Sequence, residues 1–188
     1  MAITLEQVAK TSIDTLIDEA ALQARVRELG EQLSRDYGGQ DLLLVCILRG
    51  GVMFLTDLMR QLSIPHNIDF MAVASYEEGV RQSDGMVRIT MDLLTDIQGR
   101  NVLLVEDIVD TGHTLSRVLD LLGTRLPASL RVCCLLDKHE RREVKVPIDY
   151  IGFQIPDKFV FGYGLDMDQY WRNLPYIGVA RSDPASGP

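Results

Sequence analysis

The chain predicts an α/β fold built on a mainly parallel, twisted sheet flanked by helices. Apolar runs of strand length alternate with amphipathic helical stretches along most of its 188 residues, the order that favours a parallel sheet. Two of those runs, 42–48 (LLLVCIL) and 130–136 (LRVCCLL), are apolar almost throughout, as strands covered on both faces should be. Residues 101–115, NVLLVEDIVDTGHTL, read in succession as strand, acidic edge, loop and helix.

In residues 18–36, Leu22, Val26, Leu29 and Leu33 recur at the spacing of an amphipathic helix that Gly38 and Gly39 should end. This helix is expected to open the fold. The 42–48 strand ends in Arg49-Gly50-Gly51, and a second helix over 52–62 should stop before Pro65. Residues 68–75 predict a strand, and the polar, glycine-containing stretch 76–85 a mobile loop. A strand follows over 86–93, then a turn over 96–100, the central strand over 102–105 and a helix over 114–122. The 130–136 strand leads through Asp137 and Lys138 to a charged surface connection over 139–145. Two late strands, 150–155 and 159–163, flank the turn Pro156-Asp157-Lys158. The length suits one domain, taken as 1–181, and the composition of 182–188 suits a disordered tail.

The formal charge of -8 gives a field that repels nucleic acid and anionic membranes, so neither is an expected partner. An anionic substrate then needs local handles. No apolar run nears the roughly 20 residues of a membrane span, and the first residues, MAITLEQVAK, lack the apolar core of a signal peptide. A soluble, cytoplasmic protein is expected. Cys46, Cys133 and Cys134 lie in apolar stretches without chelating spacing and should be buried, reduced thiols.

Ligands of open parallel sheets bind beyond the carboxyl ends of the strands, where Glu106 and Asp107 fall. The backbone amides of Thr111, Gly112, His113 and Thr114 at a helix start can take a phosphate, with Gly112 permitting close approach. The acids would repel that phosphate and suit sugar hydroxyls instead. Helix capping by Asp110 or Thr111 is the competing account of the same residues. No P-loop, dinucleotide fingerprint, zinc-protease or serine-hydrolase motif occurs.

The whole string from Val102 to Leu115 closely resembles the ribose-phosphate signature of the purine phosphoribosyltransferases. LRGG at 48–51, SY at 75–76, LLDK at 135–138 and IPDKFVFGYGLD at 155–166 extend the resemblance to the bacterial hypoxanthine phosphoribosyltransferases, up to about residue 181. It implies the type I phosphoribosyltransferase fold with a small hood of late-chain segments, and a salvage reaction. That reaction joins N9 of hypoxanthine, and of guanine, to 5-phosphoribosyl-1-pyrophosphate with magnesium, releasing IMP or GMP and pyrophosphate. The resemblance makes Asp110 the general base for the purine N7 proton and assigns Glu106, Asp107, Asp110 and Thr111 to Thr114 to the ribose phosphate. Arg49, Gly50 and Arg172 fall to pyrophosphate, Asp166 to magnesium, Ser75 and Tyr76 to a closing loop, and Lys138, Phe159 and Val160 to the purine. A lysine there donates well to an exocyclic oxygen and poorly to an amino group. His113 occupies a variable slot of the phosphate loop, and Gly164 stands where the family often has alanine. A homodimer or homotetramer is implied. A xanthine-preferring or pyrimidine-type transferase, or a nucleic-acid-binding regulator on the same fold, are the alternatives.

Overall fold

In the computed structural model, residues 12–75 and 87–181 are described; Tyr76, the rest of the expected 76–85 loop and the 182–188 tail lie outside them. In chain order the elements are β1 (Ile13–Ile17), α1 (Glu19–Asp36), β2 (Leu42–Leu48), α2 (Val52–Gln61), β3 (His66–Ser75), β4 (Val87–Met91) and β5 (Asn101–Val109). There follow α3 (His113–Gly123), β6 (Ser129–Asp137), β7 (Tyr150–Gln154), β8 (Val160–Phe161) and β9 (Ile177–Ala180). Six strands form one sheet in the order β4-β3-β2-β5-β6-β7, and β1-β9-β8 form a second of three. In the large sheet β3, β2, β5, β6 and β7 run parallel and only β4 is antiparallel.

The apolar runs are explained by two-sided burial. Leu44, Cys46, Leu103, Val105, Cys133 and Leu135 face α1 and α2, whereas Leu43, Val45, Ile47, Val102, Leu104 and Cys134 face α3. Burial pushes the thiols up, Cys46 to about 12, so all three cysteines are inert and reduced. Helix α1 starts where Asp18 accepts a hydrogen bond from the Ala21 amide at 2.8 Å and buries Leu22, Val26, Leu29 and Leu33. Each such leucine contributes about 1.5–3 kcal/mol over leaving it in water.

Five features differ from expectation. A strand, β1, precedes the first helix; it is five residues long with polar Asp14 and Thr15, too short to show periodicity, and exists through antiparallel pairing with β9. The hood sheet therefore draws on both ends of the chain rather than on late segments alone. The two late strands belong to different sheets: β7 lies on the large sheet beside β6, and the Pro156 turn carries the chain to β8 in the hood. β8 is only two residues long because Gly162, at φ +98° and closely covered by the Tyr176 carbonyl, bends the chain. Lastly, β5 extends to Val109, four residues past its predicted end, through pairing with β6 up to Val109–Asp137.

Gly30 is where α1 and α2 approach: a Cβ there would stand 2.4 Å from Gln61 Cβ. Gly30→Ala should therefore lower stability by about 1–3 kcal/mol through overpacking, outweighing the ~1 kcal/mol that alanine gains in helix propensity. Urea unfolding measures this, and a stabilised variant would contradict the packing.

Candidate active site

β2 and β5 pair only from Leu42–Asn101 to Cys46–Val105. Past that point β2 stays with β3 up to Leu48–Ala72, while β5 stays with β6. Strand order reverses here, since β2 leads outward to β3 and β5 leads the other way to β6. Such a switch point opens a crevice at the carboxyl ends of the strands. It holds a cavity of about 320 Å³.

Glu106, Asp107, Asp110, Thr111, Gly112, Thr114, Arg49, Gly50, Asp166 and Arg172 all line it. His113, Lys138, Phe159 and Val160 do not. Ser75 ends β3 and pairs with Val87.

The crevice is tight at its base. The Leu48–Arg49 peptide is cis, and Gly50 lies so close to Asp107 that a Cβ would stand 1.5 Å from Oδ2. Any larger residue at 50 would displace that carboxylate. Glu106 is buried at 6% exposure; burial, then the neighbouring Asp107 charge, pushes its carboxyl well above the ordinary range. Burial also raises Asp107 to about 6, opposed by the Ile108 amide, which donates to Oδ1 at 2.8 Å. Both acids stay within β5 rather than at its edge, anchored by the extra pairing with β6.

The loop expected to take a phosphate is free of capping side chains. The N-cap of α3 is Gly112 at φ +92°, with no side-chain cap hydrogen bond, so neither Asp110 nor Thr111 caps the helix. The first-turn amides thus keep the anion-binding capacity that a cap would consume. The His113 ring turns aside to Glu143, 2.8 Å from Nε2 to Oε2. The Glu143 and Val144 amides donate to the Thr111 carbonyl at 2.9 and 3.1 Å, so the segment expected as a mere surface connection braces this loop. Arg142 contributes from below, pairing with buried Asp137, its Cδ 3.1 Å from where a Gly112 Cβ would sit.

At the rim, Lys138 is buried at 5% exposure, with Nζ 3.5 Å from Asp110 Oδ2 and 3.6 Å from Asp157 Oδ1. Asp110 Oδ1 is buried and lacks a hydrogen-bond donor among the described residues, although Arg141 Nε stands 3.2 Å away. An acceptor left open in this way is suited to receive a proton from a ligand. Phe159 is 62% exposed and offers a free ring face, whereas Val160 is buried and pairs with Val179.

On the opposite side, Gln169 Oε1 accepts from Arg49 Nη1 at 3.0 Å and from Arg172 Nη2 at 3.1 Å. Arg172 also donates to the Gly164 carbonyl at 2.7 Å and pairs with Asp166 at 2.7 Å. Gln169 thereby links the two guanidinium groups. Gly164, at φ +100°, would bring a Cβ within 2.0 Å of the Gly50 carbonyl, so this turn closes directly on the crevice. Sequence reasoning missed Arg141, Arg142, Asp137, Asp157 and Gln169. The run DKHERRE after a buried strand was the available signal for the first three; nothing in sequence marked Gln169.

No group of three or more His, Cys, Asp or Glu side chains able to hold a metal occurs among the described residues. Magnesium does not require one: it retains waters and commonly takes one or two carboxylates with substrate phosphates. Asp166, on the cavity wall and paired with Arg172, fits that partial role.

A carboxyl raised in the folded state favours folding below its unfolded pKa and loses that contribution as pH rises through the folded value. For Asp107 the window runs from 3.8 to about 6, a cost on the order of 3 kcal/mol at neutral pH. Asp107→Asn should stabilise the fold at pH 7 and flatten the melting temperature against pH between those values, while activity falls. A melting profile as steep as the parent's would refute the burial of that charge.

A family model for the phosphoribosyl transferase domain matches residues 12–168. The chain is 49% identical over 171 residues to the hypoxanthine phosphoribosyltransferase of Escherichia coli K12, covering 90% of this chain and 96% of that one. It is 51% identical over 170 residues to the hypoxanthine-guanine phosphoribosyltransferase of Mycobacterium avium, covering 87% and 83%. A crystal structure of a hypoxanthine phosphoribosyltransferase from Staphylococcus aureus superposes with a TM-score of 0.87 at 41% identity, over 95% of this chain and 96% of that one. With the strand–loop–helix string at the switch point, these matches make the chain a member of the phosphoribosyltransferase family, among the hypoxanthine phosphoribosyltransferases.

Proposed function

We propose that this enzyme transfers the 5-phosphoribosyl group of 5-phosphoribosyl-1-pyrophosphate to N9 of hypoxanthine, and of guanine, giving IMP or GMP and pyrophosphate in purine salvage. The carrying observation is the single crevice at the parting of β2 and β5. It gathers an uncapped helix start, the buried Glu106 with half-buried Asp107, and an arginine-paired carboxylate beside the Lys138–Asp110 pair.

The amides and hydroxyls at Thr111, Gly112 and Thr114 hold the 5-phosphate, with the His113 amide in the same turn. Glu106 and Asp107 accept from the ribose hydroxyls. Arg49, the Gly50 amide and Arg172 bind the pyrophosphate, and magnesium held by Asp166 would neutralise its charge as it leaves. Departure of pyrophosphate leaves positive charge on the sugar, which the buried acids stabilise in a site of low dielectric. Lys138 donates to the exocyclic oxygen of the base, Phe159 stacks on the ring, and the Val160 carbonyl meets the pyrimidine edge. Asp110 removes the N7 proton as N9 attacks the sugar. Ser75, at the end of β3, and Tyr76 carry the role that the family gives these positions, closure over the sugar to exclude water. A cytoplasmic homodimer or homotetramer is the proposed working form; no helix among the described residues is long and apolar enough to cross a membrane.

Steady-state assays with hypoxanthine, guanine, xanthine, adenine and uracil test the base preference. The expected kcat/KM is highest for the first two and negligible for adenine, and a preference for uracil would defeat the purine reading. Asp110→Asn should lower kcat about a hundredfold to ten-thousandfold with KM for the activated sugar little changed.

A further inference from the structure

Asp110, Lys138, Arg141 and Asp157 form a closed ring of charges drawn from three separate segments. Asp110 follows β5, Lys138 precedes and Arg141 ends the 3₁₀ turn after β6, and Asp157 lies in the turn leading to the hood. Lys138 meets both acids at 3.5 and 3.6 Å, and Arg141 meets both at 3.2 and 3.5 Å. Removing any one member leaves each opposite charge with one partner.

The two cations differ in a way that matters when a base arrives. Lys138 is 7% exposed at its side chain, whereas Arg141 is 45% exposed. An oxo-purine that engages Lys138 takes charge and donors away from Asp110. Arg141 is not drawn off with it: its guanidinium stays hydrated, and its amide donates to the Lys138 carbonyl at 3.0 Å, which ties its backbone to the same turn. Arg141 Nε stands beside Asp110 Oδ1 without directing a hydrogen bond at it. The arginine can therefore fix the carboxylate electrostatically while leaving that oxygen open to a donor on the base.

We propose that Arg141 is a positioning residue for Asp110, holding its carboxylate toward the purine once Lys138 has turned to the exocyclic oxygen. This rests on the reading of Asp110 as the general base. In that step the purine N7–H bond breaks, its electron pair stays in the ring, and the proton forms an O–H bond to Asp110. Asp157 completes the device from the hood side by retaining both cations near the purine. The same contacts seen only as a half-exposed surface pair would contribute little to folding, so the effect belongs in turnover rather than in thermal stability.

The test is a double-mutant cycle on the full chain with hypoxanthine and saturating activated sugar, comparing Arg141→Ala, Arg141→Lys, Asp110→Asn and the Asp110→Asn/Arg141→Ala pair. Arg141→Ala should lower kcat about tenfold with an unchanged melting temperature and an unchanged KM for the activated sugar. Arg141→Lys, keeping the charge, should recover most of that loss. In the Asp110→Asn background the arginine change should have no further effect. A kcat for Arg141→Ala within about twofold of the parent, or losses that multiply in the double variant, would overturn the proposal while leaving Asp110 as the base. A fall in kcat that tracks a lowered melting temperature would overturn it too. Full turnover in Asp110→Asn would instead remove the base reading, and Arg141's role with it.

Discussion

The site depends on the parting of two parallel strands. Up to Cys46 and Val105 the backbones of β2 and β5 satisfy each other; beyond that, each is held only by its outer neighbour. The gap leaves polar groups of both strand ends without a ladder partner, and those groups become the walls of the crevice. Because β6 continues to pair with β5 up to Val109, the four residues bordering the gap remain rigid. Acids carried by a floppy loop would drift to solvent; carried by a paired strand, they are kept under cover.

That cover has an electrostatic cost. A protein of net charge -8 must bind doubly anionic groups, which its overall field opposes. Two local arrangements offset the field, the uncapped start of α3 and the two guanidiniums gathered by Gln169, while burial raises the carboxyls of Glu106 and Asp107.

The hood is joined to the core by short-range packing. Gly164 touches Gly50, Tyr163 donates to Asp57 of α2 at 2.6 Å, and Gln23 of α1 donates to the same carboxylate at 2.8 Å. Between Tyr163 and Trp171, four non-glycine residues adopt positive φ: Tyr163, Asp168, Gln169 and Trp171. Such conformations are unfavourable for side chains with a Cβ and persist where the surroundings over-determine them, commonly at functional sites. Here they bend the chain so that Asp166, Gln169 and Arg172 face the ends of β2 and β5.

The apolar runs, the helical spacing of Leu22 to Leu33 and the string from Val102 to Leu115 were enough, by themselves, to determine the α/β class, the order of the main elements and the strand–loop–helix at the centre of the chain. These are properties of short windows, in which neighbouring residues share one backbone conformation and one solvent boundary. Tertiary structure alone decided that β1 pairs with β9, that β7 and β8 part company at Pro156, and that β5 runs on past its acids, because each depends on a partner strand distant in sequence. It likewise decided that Lys138 is buried, that His113 turns to Glu143, and that Arg141, Asp157 and Gln169 enter the site. A charged side chain carries no local mark of its future partner; only chain folding brings opposite charges within 4 Å, where their mutual attraction outweighs hydration.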